Sequence, residues 1–162
     1  MNKMIKVGIS EFNIAKNGEV LVTYALGSCV GICLYDARTK VAGLAHIMLP
    51  SSEGFSVLGD QEGKFADTAI RGLLRLMARE GALQSRLTAK IAGGAQMFAG
   101  VSNSSLSNIG LRNVTAVKAE LMKHRIPIVA EDTGKNYGRT QYFYSLDGKM
   151  TIKSAIKGEW HY

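Results

Sequence analysis

The chain has 162 residues, close to the usual size of about 150 residues for one domain. Hydrophobic residues make up 46% and charged residues 20%, with only 2 prolines, a composition that excludes intrinsic disorder and low-complexity architecture. The 20 Lys and Arg residues against 13 Asp and Glu residues give a net charge of +7, which favours an acidic partner surface. We expect a single domain spanning residues 1–162.

The first third of the chain has the short, β-branched pattern of strands. Asp36–Lys40 is predicted to be a hairpin loop, and Ser51–Gly63 a mobile surface loop rich in small and acidic residues. The predicted strands are Lys3–Ser10, Val20–Tyr24, Val30–Asp36 and Lys40–Leu49.

The middle of the chain changes to helical periodicity. Lys64–Glu80 has an apolar stripe at i, i+3/i+4 spacing, which predicts a helix packed on the core, with Gly81 placed to end it. A strand is predicted near Leu87–Ala92, and a second helix near Leu111–His124.

Alternation returns in the last third, where Leu146–Lys149 reads as a hairpin turn of the Asp-Gly type. The predicted strands there are Ile126–Glu131, Thr140–Ser145 and Met150–Ala155. Many strands with two mid-chain helices predict an α+β fold. We expect a layered sandwich of mostly antiparallel β-strands with two principal helices packed on one face, an α/β/β arrangement.

Several classes of protein are disfavoured by the pattern. Two cysteines make no disulfide framework, and no signal-like or membrane-spanning apolar stretch is apparent, so we expect a protein of the reducing cytoplasm. Nucleic-acid binding is also disfavoured, because the basic residues are dispersed and no aromatic RNA-reading motif accompanies them.

Cys29 is the candidate nucleophile. Gly27, Ser28 and Gly31 flank it, and such small residues would let a substrate carbonyl approach the backbone closely. The alternative is a buried thiol that only packs, which is the common fate of a free cysteine. A nearby imidazole would decide between the two, because it can accept the proton of the thiol.

His46 is the best placed of the three histidines, since it interrupts an apolar strand that the predicted hairpin brings beside the strand after Cys29. A satisfied core histidine is the alternative. His124, at a helix end, and His161, the penultimate residue, are weaker candidates. Thr23 offers a hydroxyl that could orient the imidazole, or it is simply a good strand former.

Metal binding by Cys29, Cys33 and His46 is disfavoured, because structural zinc sites usually have four ligands on tight turns and a fourth soft ligand is missing here. Cys33 is expected to pack as a small hydrophobic residue within its strand. We predict neither a metal nor a cofactor.

Six separated motifs span nearly the whole chain. They are Thr23–Val30, Gly43–Pro50, Lys64–Asp67, Lys90–Phe98, Ile109–Asn113, and Asp132–Gly134 with Gly138–Arg139. In this order they resemble the bacterial chemoreceptor glutamine deamidase family CheD, whereas Gly-Ser-Cys alone would be a weak signal. Two places depart from the family pattern: Lys135, where a second glycine is usual, and the Ser-rich stretch Ser102–Ser107.

The resemblance implies that Cys29 is the nucleophile, His46 the general base and acid, and Thr23 the third member that orients the imidazole. Backbone N–H groups of Gly27 and Ser28 are our hypothesis for the oxyanion donors, together with the adjoining Cys29 amide. The implied enzyme is a protein-glutamine glutaminase without a cofactor.

The resemblance also implies the partners. The substrates would be glutamine side chains in the cytoplasmic helical domains of chemoreceptors, converted to glutamate with release of ammonia to tune chemotaxis signalling. In some members a CheC-type response-regulator phosphatase controls the deamidase. The alternatives are a non-catalytic receptor-binding adaptor and, through the same thioester, acyl transfer to an amine as in a transglutaminase. An unrelated cysteine protease is less favoured, because the motifs concern side-chain amides.

Overall fold

Two five-stranded sheets and two α-helices make up the part of the chain that the computed structural model describes, residues 3–97 and 108–162. The helices are α1 (Ala66–Arg79) and α2 (Ile109–Lys123), and 3₁₀ turns cover Gly59–Lys64 and Gln84–Arg86. In chain order the strands are β1 (Met4–Lys6), β2 (Phe12–Ala15), β3 (Val20–Leu26), β4 (Val30–Asp36), β5 (Val41–Ile47), β6 (Thr88–Gly93), β7 (Ile128–Thr133), β8 (Arg139–Tyr144), β9 (Met150–Ser154) and β10 (Gly158–His161).

Strand pairing is mostly antiparallel in both sheets. The first sheet has the order β1-β3-β8-β9-β10, and the second has the order β2-β5-β4-β6-β7. The pairs β1 with β3 and β6 with β7 are parallel, and the other pairs are antiparallel. The predicted α+β class with mostly antiparallel strands is therefore confirmed.

The period-two alternation of the central strands separates two hydrophobic cores. On β4, Ile32 and Leu34 face the helices and pack in the same core as Leu73 of α1 and Val117 of α2. Cys33, one residue away, faces the other sheet and belongs to the core between the sheets. Both helices thus cover one face of the second sheet, which confirms the layer order helix, sheet, sheet.

A bulge interrupts β3 just before the loop that carries the candidate nucleophile. The register with β8 shifts between Thr23 and Leu26, and Ala25 takes a left-handed conformation with φ 58°. The extra residue leaves Tyr24 and Ala25 exposed while Thr23 and Leu26 are both fully buried. A regular strand would have turned one of these two inward-facing side chains outward.

The predicted boundaries need several corrections. The first strand ends at Lys6 and not at Ser10, because the chain there crosses from the first sheet to the second. The short strands β2 and β10 were not predicted, since β2 contains only four residues and β10 is exposed throughout and has no buried alternation. The helix and hairpin predictions hold within two residues, including the turn that ends at Lys149.

The segment Ser51–Gly63 is held at two points. Ser52 donates from its backbone N and from Oγ to the carboxylate of Asp67 in the first turn of α1, at 3.1 and 2.6 Å. The ring of Phe55 packs on that of Phe65 with a centroid separation of 5.1 Å. The second half of the segment forms part of the 3₁₀ turn over Gly59–Lys64.

Within residues 3–97 and 108–162, the helices are too short or too polar to cross a lipid bilayer. The Ser-rich stretch Ser102–Ser107 lies outside the described residues, as does Phe98 at the end of the fourth motif.

Candidate active site

Cys29 lies at the end of a short loop, Gly27 to Cys29, that joins β3 to β4. Its thiol is half-buried at the edge of the core between the sheets. A Cβ placed on Gly27 would lie 3.3 Å from Cγ of Met97, so the glycine keeps the approach to this loop uncrowded.

Each of the three carbonyl groups of this loop accepts a hydrogen bond. Ala95 N donates to Gly27 O at 2.8 Å, and Gly94 N donates to Cys29 O at 2.7 Å. Between them, Nδ2 of Asn113 on α2 donates to Ser28 O at 3.0 Å. The loop is therefore fixed through its carbonyls, by the segment that follows β6 and by one side chain of α2.

The amide groups of the same loop are left available. Within the described residues, the N–H groups of Gly27, Ser28 and Cys29 donate to no oxygen atom. In a planar trans peptide the C=O of one residue and the N–H of the next point in opposite directions. Fixing the carbonyls of Gly27 and Ser28 therefore turns the amides of Ser28 and Cys29 away from the groups that hold the loop.

His46 lies on β5 with its imidazole buried between the two sheets. Its backbone pairs with Gly31 of β4, and on the other side it is held by Ser10 N to His46 O at 2.9 Å and His46 N to Glu11 O at 3.0 Å. The crossover from β1 to β2 therefore holds the backbone of β5 at the histidine, whose side chain is fully buried.

Thr23, from the opposite sheet, fixes the tautomer of His46. Thr23 Oγ1 lies 2.7 Å from His46 Nδ1 and 2.6 Å from the carbonyl oxygen of Val7. A hydroxyl has a single proton, and the Val7 carbonyl can only accept, so Thr23 donates to Val7 and accepts from Nδ1–H of His46. The proton is then on Nδ1, and Nε2 presents a lone pair.

Nε2 of His46 has no hydrogen-bond partner in the described part of the chain, although it is buried. Cys29 lies two residues before Gly31, the residue that pairs with His46, and therefore on the same face at the diagonal position. Diagonal neighbours are about 7–8 Å apart at Cα, within reach of an imidazole. The structure thus brings Thr23 and His46 into contact and sets Cys29 beside them without a direct hydrogen bond from Sγ to Nε2.

Burial keeps both candidate catalytic groups neutral. It raises the pKa of the Cys29 thiol above its ordinary value and lowers the pKa of His46 from 6.5 to about 4. At pH 7 the resting pair is therefore a protonated thiol beside an unprotonated imidazole. Proton transfer would have to accompany attack of the sulfur on a substrate.

Comparison with known proteins finds relatives that match nearly the full length of this chain. A family model described as CheD chemotactic sensory transduction matches residues 48–154. A protein of Caldanaerobacter subterraneus subsp. tengcongensis is 53% identical over 97% of this chain and 96% of its own length, and one of Syntrophomonas wolfei is 48% identical over 98% of both. The chain belongs to the CheD family.

Both CheD relatives carry the name probable chemoreceptor glutamine deamidase CheD, as does one from Lachnoclostridium phytofermentans at 49% identity. The region matched by the CheD family model begins two residues after His46. Thr23, Cys29 and His46 therefore lie outside it, whereas the matches to the relatives extend over 97–98% of this chain.

The fold also matches a solved structure outside the CheD family. The crystal structure of Neisseria meningitidis protein NMB0706, described as DUF152, superposes with a TM-score of 0.50 at 9% identity, covering 83% of this chain and 64% of that one. At this identity the likeness shows the fold alone, and it agrees with the layered α+β sandwich.

Two buried polar residues at this candidate site were not proposed as site residues from the sequence, although Asn113 ends one of the six motifs. Asn113 is one, and Gln141 is the other: it pairs with Thr23 across β3 and β8 and donates to Gly31 O at 3.3 Å. A Cβ on Gly31 would overlap Oε1 of Gln141 and lie 2.8 Å from its Cδ. The sequence signal that could have indicated both residues was a polar side chain at a position where the pattern of its helix or strand predicts burial.

The remaining histidines and the second cysteine lie elsewhere. His124 caps the end of α2, with Nε2 3.5 Å from Glu120, and Nδ1 of His161 is 2.9 Å from Thr151 Oγ1. Cys33 is fully buried, and its sulfur lies 3.3 Å from Gln141 Nε2. Over residues 3–97 and 108–162, no three His, Cys, Asp or Glu side chains group together as metal ligands.

Lys135 marks a backbone position that suits glycine. It follows Gly134 in a turn and takes the left-handed conformation with φ 63°. A non-glycine residue is disfavoured there by about 1–2 kcal/mol, which is a physical reason for the glycine that the family resemblance leads us to expect at this place. The turn still contacts the neighbouring loop, since Gln96 N donates to Lys135 O at 2.8 Å.

Proposed function

We propose that this chain is a protein-glutamine glutaminase that deamidates glutamine side chains in the cytoplasmic helical domains of chemoreceptors. The names of its close relatives support the substrate class. One observation supports the chemistry above all others: Thr23 directs the Nδ1 proton of a buried His46, so that Nε2 is free as a base beside the half-buried thiol of Cys29.

The reaction begins when Nε2 of His46 accepts the proton of the Cys29 thiol. The sulfur attacks the carbon of the glutamine carboxamide, and the carbonyl oxygen becomes an oxyanion. As the tetrahedral intermediate collapses, the imidazolium protonates the departing nitrogen, which leaves as ammonia. A thioester between Cys29 and the substrate side chain remains.

The second half reaction uses the same groups. Water, deprotonated by Nε2 of His46, attacks the thioester carbon and forms a second oxyanion. Collapse of this intermediate returns the proton to the sulfur of Cys29 and releases glutamate. The net change is carboxamide plus water to carboxylic acid plus ammonia, and the enzyme ends in its starting state.

The oxyanion donors in this proposal are the amides of the nucleophile loop. The predicted donors were Gly27 and Ser28, with Cys29 adjoining them. The carbonyl anchoring favours the amides of Ser28 and Cys29, whose peptide units are each fixed through the carbonyl on the opposite side. A donor of this kind lowers a barrier by about 3–4 kcal/mol in well-studied hydrolases.

The rim of the site offers apolar surface for a protein substrate. Tyr24, Met48 and Met97 lie next to the loop or the end of β5 and are each exposed by more than a third. The chain as a whole carries a net charge of +7, which fits an acidic helical substrate. Control by a CheC-type phosphatase, which the family resemblance implies, is part of this proposal and would be tested by co-purification with a CheC protein.

The decisive experiment incubates purified receptor cytoplasmic domains with wild-type protein, Cys29→Ala and Cys33→Ala. Mass spectrometry scores glutamine-to-glutamate conversion, and released ammonia is measured in the same samples. Wild type and Cys33→Ala should convert the same glutamines and Cys29→Ala none, because Cys33 is buried in the core and only packs.

The other outcomes point to the competing functions. Receptor binding without conversion by any of the three proteins would contradict the proposal and favour the non-catalytic adaptor. Incorporation of an added amine into the receptor, in place of hydrolysis, would instead favour acyl transfer, since both reactions share the thioester.

A further inference from the structure

Asn113 connects α2 to both halves of the candidate active site. Its side chain is fully buried, and Nδ2 donates to Ser28 O at 3.0 Å and to Met48 O at 2.9 Å. Ser28 precedes the nucleophile, and Met48 follows the base, His46, by two residues. One amide group thus joins the loop of Cys29 to the end of the strand that carries His46.

The first of these hydrogen bonds acts on a single peptide unit. The carbonyl of Ser28 and the N–H of Cys29 belong to the same planar peptide, and they point in opposite directions. A donor that holds the carbonyl toward α2 therefore holds the N–H of Cys29 away from α2. That N–H has no oxygen acceptor among the described residues and lies toward the thiol of Cys29 itself, so it is on the side from which a substrate would approach the sulfur.

We propose that Asn113 is a positioning residue that keeps the Cys29 N–H directed at the substrate oxyanion. This inference rests on the proposed deamidase function, because the oxyanion is an intermediate of that reaction. Asn113 touches neither substrate nor thiol in this role. It acts through the Ser28–Cys29 peptide.

Among the donors that hold the carbonyls of this loop, Asn113 is the one that uses a side chain. The carbonyls on either side, Gly27 O and Cys29 O, are held by backbone amides of Ala95 and Gly94, which only a substitution to proline would remove. The start of α2 packs tightly on the same two residues: a Cβ on Gly110 would lie 2.6 Å from Gly94 O. Asn113, one turn later on α2, is the side-chain anchor within this packed unit.

The test compares Asn113→Leu with wild type. Leucine has a similar size and shape without the donor, and Oδ1 of Asn113 makes no hydrogen bond within the described residues, so the donor is the main loss. The readouts are kcat and KM on a purified receptor cytoplasmic domain, the rate of Cys29 alkylation by iodoacetamide, and Tm. Val117→Ala, a buried apolar truncation on the same helix, is the matched control for lost stability.

For Asn113→Leu we expect kcat to fall about 10²–10³-fold, the loss typical of one missing oxyanion donor. KM and the alkylation rate should stay within about threefold of wild type, because alkylation by iodoacetamide forms no oxyanion. Val117→Ala should lower Tm and leave kcat unchanged. An unchanged kcat in Asn113→Leu would overturn the proposal, as would equal losses of kcat and alkylation rate, since the side chain would then act on the thiol.

A second measurement tests the positioning role of Asn113 independently of the deamidation reaction. In full-length protein labelled with ¹⁵N, the Cys29 amide resonance and its hydrogen exchange report the orientation of that N–H whether or not a receptor is turned over. Asn113→Leu, or Asn113→Ala if the leucine variant does not fold, should change the exchange rate of the Cys29 amide at least tenfold while that of Ile32 in β4 stays constant. No change at Cys29 would refute the positioning role, whereas absent turnover by wild type would refute only the deamidase.

Discussion

Burial of His46 as a neutral imidazole predicts a specific loss of stability in mild acid. The pKa of His46 is about 4 in the folded protein against 6.5 ordinarily, because burial disfavours the charged form. Between these values the unfolded chain binds a proton that the folded chain does not, so the free energy of unfolding decreases as the pH falls from about 6.5 to about 4. The slope is about 1.4 kcal/mol per pH unit, and the whole loss is about 3 kcal/mol.

Another buried group titrates outside this window. Asp36 is fully buried, and the guanidinium of Arg86, with Nη2 2.7 Å from Oδ2, holds the pKa of that carboxyl well below its ordinary value of 3.8. A depressed carboxyl pKa contributes stability that is present above 3.8 and is lost only as the pH falls below it. Between pH 4.5 and 6.5 the contribution of His46 can therefore be measured with little interference from this pair.

Urea denaturation of wild type and His46→Gln at half-unit steps from pH 7 to 4.5 would measure the difference. His46→Gln will be less stable at every pH, so the quantity of interest is the change in the difference between the two proteins. We expect wild type to lose about 2 kcal/mol more than His46→Gln over this range. Parallel curves for the two proteins would refute the assignment of His46 as a buried neutral base.

Three further predictions follow from the site. Thr23→Ala should lower kcat about 10–100-fold, less than the complete loss in Cys29→Ala, because a neutral hydroxyl fixes the tautomer but cannot neutralise an imidazolium. The kcat of the control Thr23→Ser should stay near that of wild type, and equal losses of kcat in the two alanine variants would contradict this ranking. Gly31→Ala should reduce the free energy of unfolding by about 1–3 kcal/mol, because the added Cβ would overlap the buried side chain of Gln141. In the same denaturation assay Gly59→Ala should leave the free energy of unfolding unchanged, because no atom lies within 4 Å of its added Cβ. The profile of kcat/KM against pH should be flat from about pH 5 to 8, because the pKa of His46 lies near 4; an inflection near 6.5 would show that the base is exposed to solvent.

Local patterns were sufficient to predict much of the fold. The apolar stripe predicted α1, and the short β-branched pattern predicted β4 and β5, each within two residues of the observed bounds. Neither strand alternates, because both of their faces are buried. The strand β2 was missed because it has only four residues and pairs with β5, which follows two other strands in the chain, and β10 was missed because it is exposed throughout although its partner β9 directly precedes it. The position of β2 follows from a tertiary contact and not from local preference.

The candidate site was predicted only in part for the same reason. Cys29 and His46 could be paired from one hairpin, because the strands that carry them are neighbours in the sequence. Thr23 lies on the other sheet, and its role came from the family resemblance and remains a prediction. Asn113 and Gln141 reach the site from distant segments, and a single polar residue in an amphipathic element does not reveal which backbone group it will contact.

The proton on the histidine is directed by a hydroxyl whose own acceptor, the carbonyl of Val7, directly follows β1. This strand has three residues, pairs only with β3, and forms the outer edge of its sheet. Short edge strands separate from a protein at a much smaller free-energy cost than global unfolding requires. Detachment of this strand would free the Thr23 hydroxyl to rotate and donate to the imidazole, exchanging the tautomer and placing the proton on Nε2. The enzyme would then be inactive while the core between the helices and the second sheet was still intact, because β1 and Val7 contribute only to the core between the sheets. Mild heat or denaturant should therefore abolish turnover before global unfolding is detected.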